Sequence, residues 1–206
     1  MATSKSEGSV RERLLASANE LFYAEGVHTV GIDRVIAHAG VAKASLYSTF
    51  GSKDELVRAY LAGRHEARRQ RISTRLARYD APRKKILAIF DALAEHLAEP
   101  TFRGCAFINA SAEGPRDGVA RSVCDASRAW VRDLFTELSR ELGASDAAQL
   151  GRQLTLLYDG ATIGASMDRT TSSVSEARAL ARTLIDLHST AMTKTRRTSK
   201  PKRRAK

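Results

Sequence analysis

The feature that most constrains the fold of this chain is a pair of short helical segments joined by a single glycine. The spacing of apolar residues predicts one helix over Ile32–Ala39 and another over Ala42–Phe50, with Gly40 in the turn between them. A longer amphipathic segment over Val10–Ala24 precedes the pair and can brace it. Two short helices with a glycine-containing turn are typical of a helix-turn-helix unit, which we therefore predict here.

The second short helix carries small side chains on the face that its own core residues leave free. Leu46 and Phe50 lie one turn apart and are predicted to face inward, while Ala, Ser and Thr occupy the outward positions. Small side chains let a helix approach base edges in the major groove of DNA. Lys43, Tyr47 and Lys53 are placed to meet phosphates, which fix the register of a helix on the duplex. The pattern also leaves open an ordinary helical hairpin with Lys43 and Tyr47 as surface residues.

The rest of the chain is also helical in pattern. The sequence Ser52-Lys-Asp-Glu55 matches a capping box, which marks the start of a helix. Ser145 is the predicted cap of a helix over Asp146–Met167, and the last helix is predicted over Ser175–Thr193. No segment alternates apolar and polar residues as a strand would. We predict an all-α fold with a helix-turn-helix DNA-binding domain (residues 1–52), a helical ligand-binding and dimerisation domain (residues 53–193) and a basic disordered tail (residues 194–206).

The positive charge of the chain is concentrated at its end. The net charge is +11, and the terminal sequence KTRRTSKPKRRAK carries eight positive charges and no acidic residue. Such a run is either a solvated end or a segment that attracts phosphates. Its presence supports an alternative reading, in which the chain is an architectural or weakly sequence-specific DNA-binding protein driven by this tail.

Residue types that commonly bind metals or perform catalysis are scattered. Cys105 and Cys124 form no CxxC pair, and the histidines have no paired ligand spacing, so we predict reduced thiols, no metal and no cofactor. An enzyme using Cys105 with a histidine has no support from a glycine-rich phosphate loop, a nucleophile elbow or an acidic cluster. No apolar run is long enough for a signal or membrane segment, so we expect a cytoplasmic protein without a membrane partner.

The segment Leu21–Leu61 resembles the N-terminal domain of the tetracycline-repressor (TetR) family of bacterial transcriptional regulators. Its sequence GVAKASLYSTFGSKDEL is similar to the signature of that family, from the turn through the recognition helix to the start of the fourth helix. The later RGCAFINASAE has a much weaker similarity to one subgroup. The resemblance implies a homodimeric, ligand-responsive repressor, and many members have Ser or Thr where this chain has Gly31. It implies DNA contacts from Lys43, Ala44, Ser45, Tyr47, Ser48 and Lys53.

A dimer surface is expected because a single recognition helix reads only a few base pairs, whereas a two-fold pair reads a palindromic operator. The last two long helices are the candidates, since small residues on the first of them permit close helix approach. The same small residues could instead pack within one copy. The predicted interface residues are Leu154, Gly160, Ala161, Gly164, Leu180, Leu184 and Leu187.

The resemblance also implies a pocket for a small-molecule effector between helices of the larger domain. Mostly apolar walls would suit a hydrophobic or aromatic compound, whose identity the sequence does not give. Each aromatic residue considered alone fits a core role as well. The predicted lining residues are Phe90, Phe102, Phe107, Asn109, Trp130, Phe135 and Tyr158.

Overall fold

The described part of the chain is built from helices. A computed structural model describes residues 8–113 and 118–198, with side chains placed up to residue 189, and these residues contain nine helices and no strand. The predicted all-α fold is confirmed. In chain order the helices are α1 (Val10–Glu25), α2 (Ile32–Ala39), α3 (Lys43–Phe50), α4 (Lys53–Leu76), α5 (Pro82–Leu97), α6 (Ala106–Glu113), α7 (Val119–Glu141), α8 (Ala147–Asp168) and α9 (Ser172–Thr198).

These helices form two compact units. The described residues within Met1–Arg69 and Arg103–Arg128 make the first unit, and those within Gln70–Phe102 and Ala129–Lys206 make the second. The first unit therefore extends beyond the predicted boundary at residue 52. The reason is the beginning of α4, whose apolar side chains Leu56 and Leu61 are fully buried in the core of the first unit. The functional assignment of residues 1–52 and 53–193 stays a prediction.

The core of the first unit holds α1, α2, α3 and the start of α4 together. Leu14 of α1, Leu46 of α3 and Leu56 of α4 are fully buried in one cluster. Phe22 and Tyr60 meet edge to face, with ring centroids 5.6 Å apart. Each large apolar side chain buried in this way contributes about 1.5–3 kcal/mol. The two short helices are thus held by the cluster rather than by their own length.

The start of α1 is fixed by a capping box that we did not predict. The Ser9 hydroxyl accepts a hydrogen bond from the Glu12 amide at 3.3 Å, and the Glu12 carboxylate accepts one from the Ser9 amide at 2.7 Å. These bonds satisfy amides that would otherwise lack partners at the start of the helix. The Glu12 carboxylate accepts hydrogen bonds from the Ser9 amide and from the Ser9 hydroxyl, and these two bonds lower the pKa of Glu12 below its usual value.

The core of the second unit is a cluster of aromatic and aliphatic side chains from α5, α7, α8 and α9. Phe90 and Phe135 are fully buried, with ring centroids 5.7 Å apart. Tyr158 packs against both rings at 6.4 and 6.2 Å. An ion pair between Arg178 and Asp91, at 2.6 Å, ties α9 to α5 beside this cluster.

Two predicted helix ends were wrong. The cap of α8 is Asp146 rather than Ser145, because the Asp146 carboxylate accepts a hydrogen bond from the Gln149 amide at 2.8 Å. Helix α9 runs from Ser172 to Thr198, so residues 194–198, which we predicted to be disordered, are helical. The sequence contains no glycine or proline between Ser172 and Thr198 to stop the helix. The rest of the predicted tail, residues 199–206, lies outside the described residues.

Neither a membrane span nor a metal cluster is found in the described ranges 8–113 and 118–198. No helix there is long and apolar enough to cross a bilayer. No group of three or more His, Cys, Asp or Glu side chains there could hold a metal ion.

Candidate nucleic-acid interface

The angle between α2 and α3 depends on the backbone conformation of Gly40. This residue has φ 62° and ψ 42°, in the left-handed region that glycine adopts without a Cβ penalty. In this conformation the Val41 amide donates back to the Ile36 carbonyl at 3.3 Å and closes the end of α2. The chain can therefore turn and begin α3 at Lys43, with only two residues between it and Gly40.

Helix α3 has one buried face and one open face. Leu46 is fully buried, and no other residue of α3 is. Lys43, Tyr47 and Ser48 are exposed, and 45% of the Tyr47 surface is accessible. Within the first unit, the open face is not covered by another helix. It is long enough to lie in a major groove and too polar to form an apolar core.

The predicted DNA contacts are close together in the structure. Lys43, Ala44, Tyr47 and Ser48 are exposed on α3, and Ser45 is half-buried. The Ser48 hydroxyl donates to the Ser45 carbonyl at 3.2 Å, which occupies its single hydrogen and leaves the oxygen able only to accept. The structure does not contain DNA, so the assignment of these side chains as contacts stays a prediction.

Lys43 has a partner that sequence reasoning missed. Its ammonium group lies 2.8 Å from the carboxylate of Asp33, in the first turn of α2. The hydrogen bond to Asp33 raises the pKa of Lys43 above its usual value, so the lysine stays charged. Both side chains are exposed and separated by ten positions on different helices, so neither a periodic pattern nor a helical spacing could have revealed the pair.

The start of α4 places Lys53, the remaining predicted contact, just beyond α3. The Ser52 hydroxyl accepts from the Glu55 amide at 3.2 Å, which confirms the forward bond of the predicted capping box. The Lys53 ammonium donates to the His28 carbonyl at the long distance of 3.5 Å. A cation and a helix N-terminus at this position both favour an anion.

The N-cap of α2 lacks a side chain. Gly31 occupies this position with an extended backbone, φ −74° and ψ 155°, and α2 has no side-chain cap. A Cβ built on Gly31 meets nothing within 4 Å. A serine or threonine there would fit, could cap the helix and could reach a phosphate, as the family resemblance implied for many members.

The predicted effector-pocket residues do not all lie in one unit. Phe90, Phe135 and Tyr158 are buried in the second unit, where Phe102 and Trp130 are half-buried against the same core. Phe107 is buried in the core of the first unit, with the Arg68 guanidinium 4.4 Å from its ring centroid. Asn109, also in the first unit, is exposed and donates its amide to the Arg103 carbonyl. The other five residues lie in the second unit, and their role in lining an effector pocket stays a prediction.

The predicted dimer residues differ in how exposed they are. Leu154 and Ala161 are buried in the core of the second unit, so these two side chains are removed from the predicted dimer surface. Gly160, Leu180 and Leu187 are exposed, and 53% of Leu180 and 61% of Leu187 are accessible. Gly164 and Leu184 are half-buried.

Sequence reasoning missed three exposed apolar residues of α8. They are Leu156, Ile163 and Met167, on the side of α8 opposite its buried residues, with accessible fractions of 69%, 45% and 77%. Their spacing of seven and then four residues was the available signal. We call Leu156, Ile163, Met167, Leu180 and Leu187 the apolar stripe.

Both cysteines are free in the structure. Cys124 is buried, and this burial raises its pKa to about 11. The thiol of Cys124 is therefore protonated at neutral pH and packs as a small apolar group. Cys105 is half-buried, and Arg68 donates to its sulfur at 3.5 Å.

Comparison with known proteins identifies the same region of the chain. The sequence model described as "Bacterial regulatory proteins, tetR family" matches residues 14–60, which run from α1 into α4. Among curated proteins, the HTH-type transcriptional activator FasR of Mycolicibacterium smegmatis is 33% identical over 138 residues, which are 65% of this chain. This match spans 60% of the length of FasR.

Solved structures extend the similarity to almost the whole chain. A TetR-family transcriptional regulator of Streptomyces coelicolor is 33% identical with a TM-score of 0.83, over 87% of this chain and 96% of that one. A putative regulator of the same family from Streptomyces avermitilis is 30% identical with a TM-score of 0.68, over 84% of this chain and 98% of that one. The family match covers the helices that include the open face of α3, and the solved relatives match almost the whole chain. The chain therefore belongs to the TetR family of DNA-binding transcriptional regulators, which are not enzymes.

Proposed function

We propose that this chain is a ligand-responsive transcriptional repressor, which binds a palindromic operator as a homodimer and is released by a small hydrophobic effector. The observation that carries the proposal is the two-sided character of α3. Leu46 fixes the helix in the core, while Lys43, Tyr47 and Ser48 are left exposed on its surface. A helix anchored in this way can enter a groove without losing its own packing.

In the proposed complex, α3 lies in the major groove and the residues around it contact the DNA backbone. Ala44, Ser45 and Ser48 are short enough to let the helix approach base edges. Lys43, Tyr47 and Lys53 contact phosphates, which adds affinity and sets the register without reading sequence. Each phosphate neutralised by a lysine releases counterions, so binding weakens as salt rises.

The homodimer is supported by the apolar stripe on α8 and α9. Five of the seven large apolar side chains that are exposed in the described residues belong to it. Exposed apolar patches of this kind on an otherwise polar surface usually mark an interface. A second copy presents the same patch, so a two-fold axis would bury the stripes against each other and pair two copies of α3 on one palindrome.

The effector step is supported by the composition of the second unit. Phe102 and Trp130 are half-buried beside the aromatic cluster of Phe90, Phe135 and Tyr158, which offers apolar surface to a hydrophobic compound. In the proposed mechanism the effector binds better to a dimer whose α3 helices are misplaced for successive grooves. The population then shifts away from the DNA-bound form.

Competition binding tests the proposal. Genomic fragments that contain the operator should displace the protein from a labelled site far better than random DNA of equal length, at ~150 mM salt. Equal competition by random DNA would contradict the proposal and favour the architectural reading, driven by the basic tail. A reporter gene placed behind the operator then measures the sign of regulation, and repression is the expected outcome.

A further inference from the structure

A cavity of about 250 Å³ opens within the first unit, where four chain segments meet. The connection between α1 and α2 supplies Val27 and His28, and the first turns of α4 supply Lys53, Asp54 and Val57. The last part of α6 and the first turn of α7 close the remaining sides. This cavity is separate from the aromatic cluster of the second unit.

The inner wall of the cavity is apolar. Val27, Val57 and Ala110 line it and are themselves buried, with accessible fractions of 6%, 6% and 2%. Val119 and Ala120 add further aliphatic surface from α7. A compact apolar group placed against these side chains would be removed from water, which is favourable.

The rim of the cavity carries two cations. The Lys53 ammonium donates to the His28 carbonyl at the long distance of 3.5 Å. Arg121 pairs with Asp125 at 3.0 Å, but 49% of the arginine side chain is accessible and Asp125 does not line the cavity. The residues that line the cavity thus include two cations and one carboxylate, that of Asp54.

The wall is held in place by a bond between α6 and the connection after α1. The Glu113 carboxylate, at the end of α6, accepts the His28 amide at 2.9 Å. Gly26 lets this carboxylate approach, because a Cβ at Gly26 would lie 2.7 Å from a Glu113 oxygen. A cavity whose walls are already fixed loses less entropy when a ligand binds.

From this geometry we propose that the cavity is a binding site for a small amphipathic carboxylate. The carboxylate group binds between Lys53 and Arg121, where it accepts charge-assisted hydrogen bonds. The apolar body packs against Val27, Val57 and Ala110. The volume suits a compound of about ten to fifteen non-hydrogen atoms, such as a short aromatic or aliphatic acid.

Binding of an acid here has a consequence for DNA, which rests on the proposed function. Lys53 is one of the predicted phosphate contacts, and one ammonium group cannot serve a DNA phosphate and the bound carboxylate equally well. The acid therefore competes with DNA for Lys53 from inside the DNA-binding unit. Binding of the acid is measured without DNA, so the site can be tested even if the operator proposal fails.

The test uses the full chain, isothermal titration calorimetry and a small panel of probes. Phenylacetate, benzoate and hexanoate supply the carboxylate, and phenylacetamide is the neutral match of phenylacetate. We expect at least one acid to bind saturably and phenylacetamide to bind more weakly than phenylacetate. Arg121→Gln should weaken binding of the acid about tenfold, because it removes one charged hydrogen bond, and should leave phenylacetamide unchanged.

Two further variants locate the site. Ala110→Leu fills the cavity and should abolish binding of both acid and amide, with folding checked by circular dichroism. Arg58→Gln is the matched control, since Arg58 is an exposed arginine of α4 that pairs with Glu55 and does not line the cavity. The proposal is overturned if no acid binds below about 10 mM. It is also overturned if Arg121→Gln binds the acids as the wild type does, whether or not Ala110→Leu folds.

Discussion

The exposed faces of α3 and α8 differ in their chemistry. The open face of α3 presents Lys43, Tyr47 and Ser48, which are polar at their outer ends, whereas α8 presents Ile163 and Met167, which are apolar throughout. A polar, positively charged face matches the hydrated and anionic surface of a duplex. An apolar face gains free energy only against another apolar surface. Exposure alone therefore does not indicate which partner binds a helix face. The chemistry of the side chains on that face does.

The largest expected effect is at the apolar stripe. Ile163→Asp would place an unpaired carboxylate in the proposed interface between copies, at a cost of about 3–5 kcal/mol. We expect monomers in light scattering and a large loss of operator affinity. Ser166→Asp is the matched control, because Ser166 is an exposed residue of α8 outside the stripe. If the Ile163→Asp variant is still a dimer, the exposed apolar face of α8 is not the interface between copies.

The next effect is at the open face of α3. Tyr47→Ala and Lys43→Ala should each weaken operator binding by about 1–3 kcal/mol, measured by fluorescence anisotropy, without changing the oligomeric state. Lys84→Ala removes an exposed lysine of α5 and should bind like the wild type. Wild-type affinity in both α3 variants would show that DNA docks on another face.

A smaller effect is expected at the uncapped start of α2. Gly31→Ser should raise the free energy of unfolding by about 0.5–1 kcal/mol, because it adds a cap and reduces the freedom of the unfolded chain. Gly31→Ala is the control, since it reduces that freedom without adding a hydroxyl. Urea unfolding of both variants separates the two contributions. Equal stability of the serine and alanine variants would mean that no cap forms.

The smallest effect concerns the partner of Lys43. Asp33→Asn removes a carboxylate that competes with DNA phosphate for the lysine, so operator affinity should rise slightly, and most clearly at low salt, where exposed charges are least screened. A double-mutant cycle with Lys43→Ala isolates the pair. If Asp33→Asn raises affinity as much when Lys43 is absent, the carboxylate acts on DNA directly and not through the lysine.

The first unit could be predicted closely from sequence because its signals are local. The bounds of α2 follow from glycines at both ends and apolar residues between them, and the structure has the same bounds, Ile32–Ala39. Leu46 was predicted to face inward from its spacing to Phe50, and it is fully buried. Glycine conformations and helical spacing act within a few residues, so they can be recognised from a single sequence.

The second unit was harder to predict because α8 is apolar on opposite faces. Leu154 and Leu156 are two positions apart, and only the first is buried. Both faces satisfy a helical repeat, so the sequence alone does not tell which one packs on α5 and α9. The pairing of Asp33 with Lys43 was missed for a related reason, since it depends on where two helices lie in space.

The hydrogen bond from Ser48 to the Ser45 carbonyl has a consequence for the sequence that α3 would read. While this bond holds, the serine oxygen has no hydrogen to offer and can only receive one. In the major groove, hydrogens are offered by the amino groups of cytosine and adenine, not by guanine or thymine. A base edge that donates a hydrogen bond to Ser48 while this bond holds must therefore belong to cytosine or adenine.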